Sequence, residues 1–270
     1  MMCSNLRRWA ALDPLAAKMG PDVFLWRASA LAALGILFLA GQGAAMAASI
    51  PIPNGSFESP TPPPGYPATP FVDEWQKPPA PAWFNPETTG GIAWEQLSGV
   101  FPNTAAGSPD HIDNMDGNQA AYLFTLPEVA LVQRLESTFE VGQSYQLTVG
   151  ALGGGGIAEG SGLALSLYYL DGASRPVAVS TSAITYTQAQ FPTATHLVDI
   201  GVKTPAVQTG DPWAGQNIGV QILATSGMGA GYWDLDNVRL EAVPEPAMAA
   251  MLALGLAGIA ARRWRIRRHG

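Results

Sequence analysis

At 270 residues the chain is long enough for one large domain or two small ones with a real core. The net charge of −7 hides a segregation: from Ala48 to Ala242 only five Lys and Arg stand against 18 carboxylates, a net of −13. So acidic a body argues against a phosphate-backbone partner and hence against nucleic-acid binding, and the single cysteine, Cys3, leaves no disulfide or thiolate metal site within it.

The first apolar run follows Arg27. Residues 28–41 have the length of a signal-peptide core and fall short of the roughly 20 residues a spanning helix needs. Ala45-Met46-Ala47 supplies a small-x-small cleavage pattern, so residues 1–47 are expected to be a signal peptide cut after Ala47 by signal peptidase, with Ala48 as the competing position. The leader is long, and Met19 is an alternative start. An uncleaved N-terminal anchor is the other reading of this segment.

From Pro51 to Pro86 there are twelve prolines in 36 residues, too many for a helix or a central strand. Aromatic residues at this density favour a loop that packs onto a domain over a disordered segment. Residues 48–91 are therefore expected to form an opening strand and wrapping loop, and residues 92–242 the rest of one β-sandwich.

Beyond the loop, runs of about seven residues alternate with turn residues. Strands are expected at Ile92–Leu97, Gln119–Thr125, Ala130–Glu136, Ser144–Ala151, Gly162–Leu170, Arg175–Thr181, His196–Val202, Asn217–Ala224 and Gly231–Ala242. In the fourth of these, Tyr145, Leu147 and Val149 share one face, and Gln146 and Thr148 the other. No helical pattern of useful length interrupts the series. The expected fold is all-β, a jelly roll or β-sandwich in which two sheets resolve each other's edges.

The chain closes with residues 243–270. Val243-Pro244-Glu245-Pro246 precedes an apolar run at 247–261, and five arginines, beginning with Arg262 and Arg263, follow it. The 15 apolar residues span about 22 Å of a roughly 30 Å hydrocarbon core. Arginine snorkelling and Trp264 extend that reach, so one short transmembrane helix is expected, with its arginine end in the cytoplasm. With a cleaved leader, the acidic body faces outward. Pro-Glu-Pro, a short apolar helix and an arginine cluster together resemble the PEP-CTERM sorting signal of Gram-negative bacteria. That resemblance implies recognition and cutting by an exosortase, and release to the cell surface or extracellular exopolysaccharide of a biofilm. An ordinary C-terminal anchor is the alternative.

Phrases of the body carry a second resemblance. Asn54-Gly55-Ser56-Phe57-Glu58, Asp116–Leu123, Gln133, Phe139–Val149 and Asp234–Leu240 resemble jelly-roll carbohydrate-binding modules and, among their relatives, the hapalindole-cyclase-like (Stig cyclase) domain. In that superfold the opening and closing strands lie side by side. The resemblance implies that Glu58 and Asp236, with Asn54 or a nearby carbonyl completing an oxygen shell, hold a structural calcium; the alternative is that they only hydrogen-bond loop backbone. A cyclase-like route implies a buried acid on the closing strand, Asp234 or Asp236, that protonates an unsaturated substrate among aromatic rings. Glycan stacking would draw on Trp75, Trp83, Trp94, Trp213 and Tyr232. The acidic stretch Asp110–Gln119 fails the EF-hand frame and reads as a solvated turn. The three histidines show no metal or triad spacing, and Gly153–Ala158 opens no helix, so no dinucleotide site or organic cofactor is expected. The expectation is an exported, non-catalytic surface or matrix protein with weak glycan contacts. The alternative is a calcium-dependent cyclase-like enzyme.

Overall fold

A computed structural model describes residues 47–227, 231–244 and 255. Ten strands follow one another: β1 (Ala48–Ile50), β2 (Ser98–Pro102), β3 (Gln119–Phe124), β4 (Ala130–Thr138), β5 (Gln143–Gly154), β6 (Gly162–Leu170), β7 (Pro176–Thr185), β8 (Val198–Lys203), β9 (Asn217–Ser226) and β10 (Tyr232–Pro244). They pair antiparallel into two sheets. One has the order β2-β3-β10-β5-β8 with β1 also on β10, and the other β4-β9-β6-β7. This is the expected sandwich. The expected leader, the apolar run 247–261 apart from Gly255, and Glu245, Pro246, Arg262 and Arg263 lie outside the described residues. Among those described, no helix is long and apolar enough to cross a membrane.

Strict alternation explains the core. Trp233 and Leu235 of β10, Tyr145, Leu147 and Val149 of β5, and Leu123 of β3 point inward from the larger sheet and are essentially inaccessible. Leu163, Leu165 and Leu167 of β6 and Val220 and Ile222 of β9 meet them from the smaller one. The closing strand is the hub. Its first half pairs with β3, and its second half with β1, in the register Ala48↔Ala242 and Ile50↔Leu240. A bulge between Asp236 and Arg239, with Asn237 at φ 54°, separates the halves and restores inward alternation at Val238 and Leu240.

One expected strand differs, and the Asn54–Glu58 motif lies outside the opening strand. Asn54–Glu58 is a hydrogen-bonded turn, with Asn54 at φ 49° and Phe57 at φ 54°, and the opening strand lies earlier at Ala48. Ile92–Leu97 is not a strand: Trp94–Gln96 is a 3-10 turn closed by the Gln96 side chain, whose Oε1 accepts the Ala93 N–H at 2.9 Å. The strand comes just after it, at β2.

The proline-rich segment packs against the sandwich. Phe57, Val72 and Trp75 are buried, and isolated bridges join Thr69 to Val100 and Gln76 to Val132. Lys77 pins the loop. Its ammonium donates to the carbonyls of Glu95 at 2.7 Å and Ser98 at 2.6 Å, and also to that of Pro70.

Candidate active site

In the first half of β10 the residues that do not face the core face outward from the larger sheet: Tyr232, Asp234 and Asp236. The ladder sets their neighbours. Asp234 lies opposite Tyr122 on β3 and Leu152 on β5, and Tyr232 lies opposite Phe124 and Gly154. The rings of Tyr122, Phe124 and Tyr232 form a cluster, with centroids 6.0 Å, 6.5 Å and 5.7 Å apart. Gly154 makes room for it, since a Cβ there would lie 2.5 Å from the Tyr232 ring and 2.6 Å from the Asp234 carboxyl. A small second core lies on this outer side, where Ile112 and Leu197 pack with Leu152, flanked by Phe101 and Met115.

Asp234 is thus a carboxyl among apolar groups. It is 6% exposed, and its Oδ1 is buried with no hydrogen-bond partner. Burial pushes its pKa up to about 8, so the neutral acid is the form that suits the site. Burial, then the charges of Asp234 and Asp110, raise the Tyr232 phenol, and burial raises Tyr122, whose hydroxyl donates to the Gln96 carbonyl at 3.3 Å. An O–H acid beside π faces can deliver a proton and stabilise the cation that results.

Asp236, two residues on, has a different environment. Its Oδ2 accepts the Asp116 N–H at 2.6 Å and its Oδ1 the Asn237 N–H at 2.7 Å. Burial raises its pKa to about 7; the two N–H bonds lower it, and the charges of Asp116 and Glu58 raise it. Glu58 Oε1 accepts from Asn118 at 2.8 Å and Gln119 at 2.7 Å. Both carboxylates therefore grip the backbone of the acidic stretch before β3, whose own carboxylates Asp110, Asp113 and Asp116 are exposed, as a solvated turn requires. Gly117, at φ 97°, allows the grip, because a Cβ there would lie 2.5 Å from Glu58 Oε1. Asn54 takes no part. Its side chain is bonded to the backbone of Ser59 and Asp73, and the Trp75 indole donates to its carbonyl at 3.1 Å.

Does the junction suit calcium? Its donors are all hard oxygens, and the charges of Asp116 and Glu58 bear on Asp236. In donor type and charge, the residues fit. Among the described residues no three His, Cys, Asp or Glu side chains form a ligating group, so backbone carbonyls and water would have to complete a shell.

The aromatic residues expected to stack on glycans disperse. Trp75, Trp94 and Trp213 are buried and offer no open face to a sugar. Trp83 is half exposed, with its indole N–H bonded to Glu128 at 2.9 Å, and Tyr232 belongs to the acid's ring cluster. Two open clefts on the outer side, about 380 and 490 Å³, both border Asp199 and Arg239 and do not include Asp234. The sequence reading missed Tyr122 and Phe124, although their spacing in "QAAYLF" puts them on one strand face. It also missed the His196–Asp113 pair at 2.8 Å, made by residues 83 apart in the chain.

Residues 48–241 match the family described as HpiC1 cyclase, and residues 242–268 match the PEP-CTERM protein-sorting motif. Among solved structures, a cyclase from Fischerella sp. TAU is 23% identical with a TM-score of 0.54, over 74% of this chain and 98% of that one. The Stig cyclase Fisc from Fischerella sp. TAU, in complex with (3Z)-3-(1-methyl-2-pyrrolidinylidene)-3H-indole, is 22% identical with a TM-score of 0.53, over 74% and 99%. A cyclase from the same source in complex with 4-(1H-indol-3-yl)butan-2-one is 22% identical with a TM-score of 0.53, over 73% and 98%. At these identities the likeness shows the fold. No curated protein matches the chain.

Proposed function

The chain belongs to the HpiC1-like cyclase family through residues 48–241, and on that premise we propose that its body is an acid catalyst acting on an unsaturated, largely apolar substrate. The sorting motif at 242–268 marks the chain for export and for C-terminal membrane anchoring before sorting. The observation that carries the catalytic reading is the buried Asp234 oxygen without a partner. A carboxyl kept only to tie strand to loop would be hydrogen-bonded, as Asp236 is.

In this reading the Asp234 O–H gives its proton to an alkene carbon. The π faces of Tyr122, Phe124 and Tyr232 stabilise the carbocation that forms. Ring closure consumes the cation, and the Asp234 carboxylate takes back the proton that the cyclised product releases. The net change is an isomerisation, with no oxidant or second reactant. Glu58 and Asp236, with Asp116 beside them, would hold a calcium ion. Bound there, the ion supplies positive charge that offsets the three carboxylates and fixes the loop before β3 against β10.

The relatives' ligand suggests the test. The body is titrated with 4-(1H-indol-3-yl)butan-2-one, and a 3-alkenylindole is then incubated with it in D2O. Wild type should bind the ketone and place one deuterium in the cyclised product, and Asp234→Asn should bind without labelling. Equal labelling by both proteins would overturn the assignment.

A second reading keeps the body non-catalytic, as an exported surface or matrix protein with weak glycan contacts. It draws support from the two open clefts, which do not reach Asp234. Absence of any labelled product, together with glycan binding lost in Trp83→Ala, would favour it.

A further inference from the structure

A strap crosses the outer face of the larger sheet beside Asp234. Residues 103–118 leave β2 at one edge of that sheet and return to β3. The two arms meet where the Asn103 N–H donates to the Asn118 carbonyl at 2.8 Å. Asp236 and Glu58 hold the returning arm through the N–H groups of Asp116, Asn118 and Gln119. The tip is fastened at the opposite edge, to the segment before β8. There the Asp113 N–H donates to the Thr195 carbonyl at 3.0 Å. The Asn114 amide donates to the Leu197 carbonyl at 2.9 Å and accepts the Leu197 N–H at 2.8 Å.

The strap carries Ile112 onto the neighbours of the acid. Asp234 has Leu152 beside it in the ladder, and Leu197 stands one step beyond the last β5–β8 pair, Ala151 with Val198. Ile112 packs on both leucines and is 4% exposed. The Asn103 side chain sets its height, accepting its N–H at 3.0 Å and donating to its carbonyl at 2.8 Å. The larger cleft, about 490 Å³, ends at this fastening, for Asn114, His196 and Leu197 line it. From that open space to Asp234 the way runs through Leu197, Ile112 and Leu152.

The fastening is local. More than half of each side chain in the Asp113–His196 pair is in water, so the pair adds little. The Asn114 bonds and the burial of Ile112 hold the tip, and both can be undone without opening a strand pair. Resting on the reading of Asp234 as the acid, we propose that residues 103–118 are the lid of its site. Release at Asn114 joins the cleft to the acid and admits the substrate. Reclosure lays Ile112 against the substrate, so the lid selects hydrocarbon over a charged or hydroxyl group at that position.

Two measurements on full-length protein in detergent test the lid. Hydrogen exchange reads its opening: Asn114→Ala removes both Leu197 bonds and should speed exchange at 111–115 and at Leu197 about tenfold, with β5 and β10 unchanged. Rapid mixing with 4-(1H-indol-3-yl)butan-2-one reads entry. Asn114→Ala loosens the lid equally with and without the ketone, so association and dissociation should both quicken about tenfold at a nearly constant Kd. Ile112→Ala should instead weaken Kd about tenfold, and Ile112→Val less, with slow exchange in β5 and β10 showing both to be folded. Association in Asn114→Ala no faster than in wild type, or strap exchange only in step with β10, would overturn the lid and leave the acid reading standing. An unchanged Kd in Ile112→Ala would overturn its selecting role. A ketone that binds none of these proteins would overturn the acid reading, and the lid with it.

Discussion

Asp234 and Asp236 project from the same face of β10 two residues apart, yet Asp236 accepts backbone N–H bonds at 2.6 and 2.7 Å while Asp234 Oδ1 accepts none. The bulge just after Asp236, and the loop that Asp236 and Glu58 grip, create the difference. One acid is built into a junction. The other is left with its proton among aromatic rings.

That proton makes stability depend on pH. The folded pKa of Asp234, about 8, lies above the unfolded value of about 3.9. The folded state therefore holds more protons between those values, and stability should fall as pH rises from about 4 through about 8. In Asp234→Asn the amide cannot ionise, so thermal melts across this window should fall less steeply than those of wild type. Parallel curves would mean that Asp234 ionises freely in the folded protein.

Calcium should act on the junction. At neutral pH, calcium at a hundred times its Kd should add about 2.7 kcal/mol, read as a higher Tm that a chelator reverses. Glu58→Gln and Asp236→Asn should each lose most of that gain. Asn54→Ala should keep the calcium response, although it is expected to lower the baseline Tm by loosening Ser59 and Asp73. An unchanged Tm in wild type would remove the metal from the account.

Lys77 offers a test of the wrapping loop. Burial lowers its pKa to about 8, and three backbone carbonyls accept its protons. Lys77→Met keeps the aliphatic stem but leaves those carbonyls unpaired, at a cost of about 1–3 kcal/mol for each that stays buried. Urea unfolding should show a lower midpoint with little change in slope. A midpoint equal to wild type would show that the loop is held by Phe57 and Trp75 alone.

Much of the sandwich was legible because alternation is local. "SYQLTVGA" and "GLALSLYYL" declare two faces within a few residues, and β5 and β6 follow. The misses have local causes too. Asn54-Gly55 is a turn dipeptide, and the motif around it obscured that signal. Ile92–Leu97 sets four apolar residues around Glu95 and Gln96, and the Gln96 side chain closes a turn, so its period decides nothing. The site was harder to read, because Tyr122 meets Asp234 only through the β3–β10 register, which joins residues more than a hundred positions apart. Tryptophan roles were no easier: Trp83 and Trp94 come from similar sequence, and packing alone buries one and leaves the other half exposed.

A carboxyl titration reads directly the proton that Asp234 is expected to carry at neutral pH in its ring-lined site. The body is labelled with 13C at aspartate side-chain carboxyls, loaded with calcium so that Asp236 is engaged, and followed by NMR from pH 4 to 9. One resonance, absent in Asp234→Asn, should titrate with a midpoint near 8 and shift on adding 4-(1H-indol-3-yl)butan-2-one. An Asp234 resonance that titrates near the ordinary aspartate value of about 4 would contradict the account.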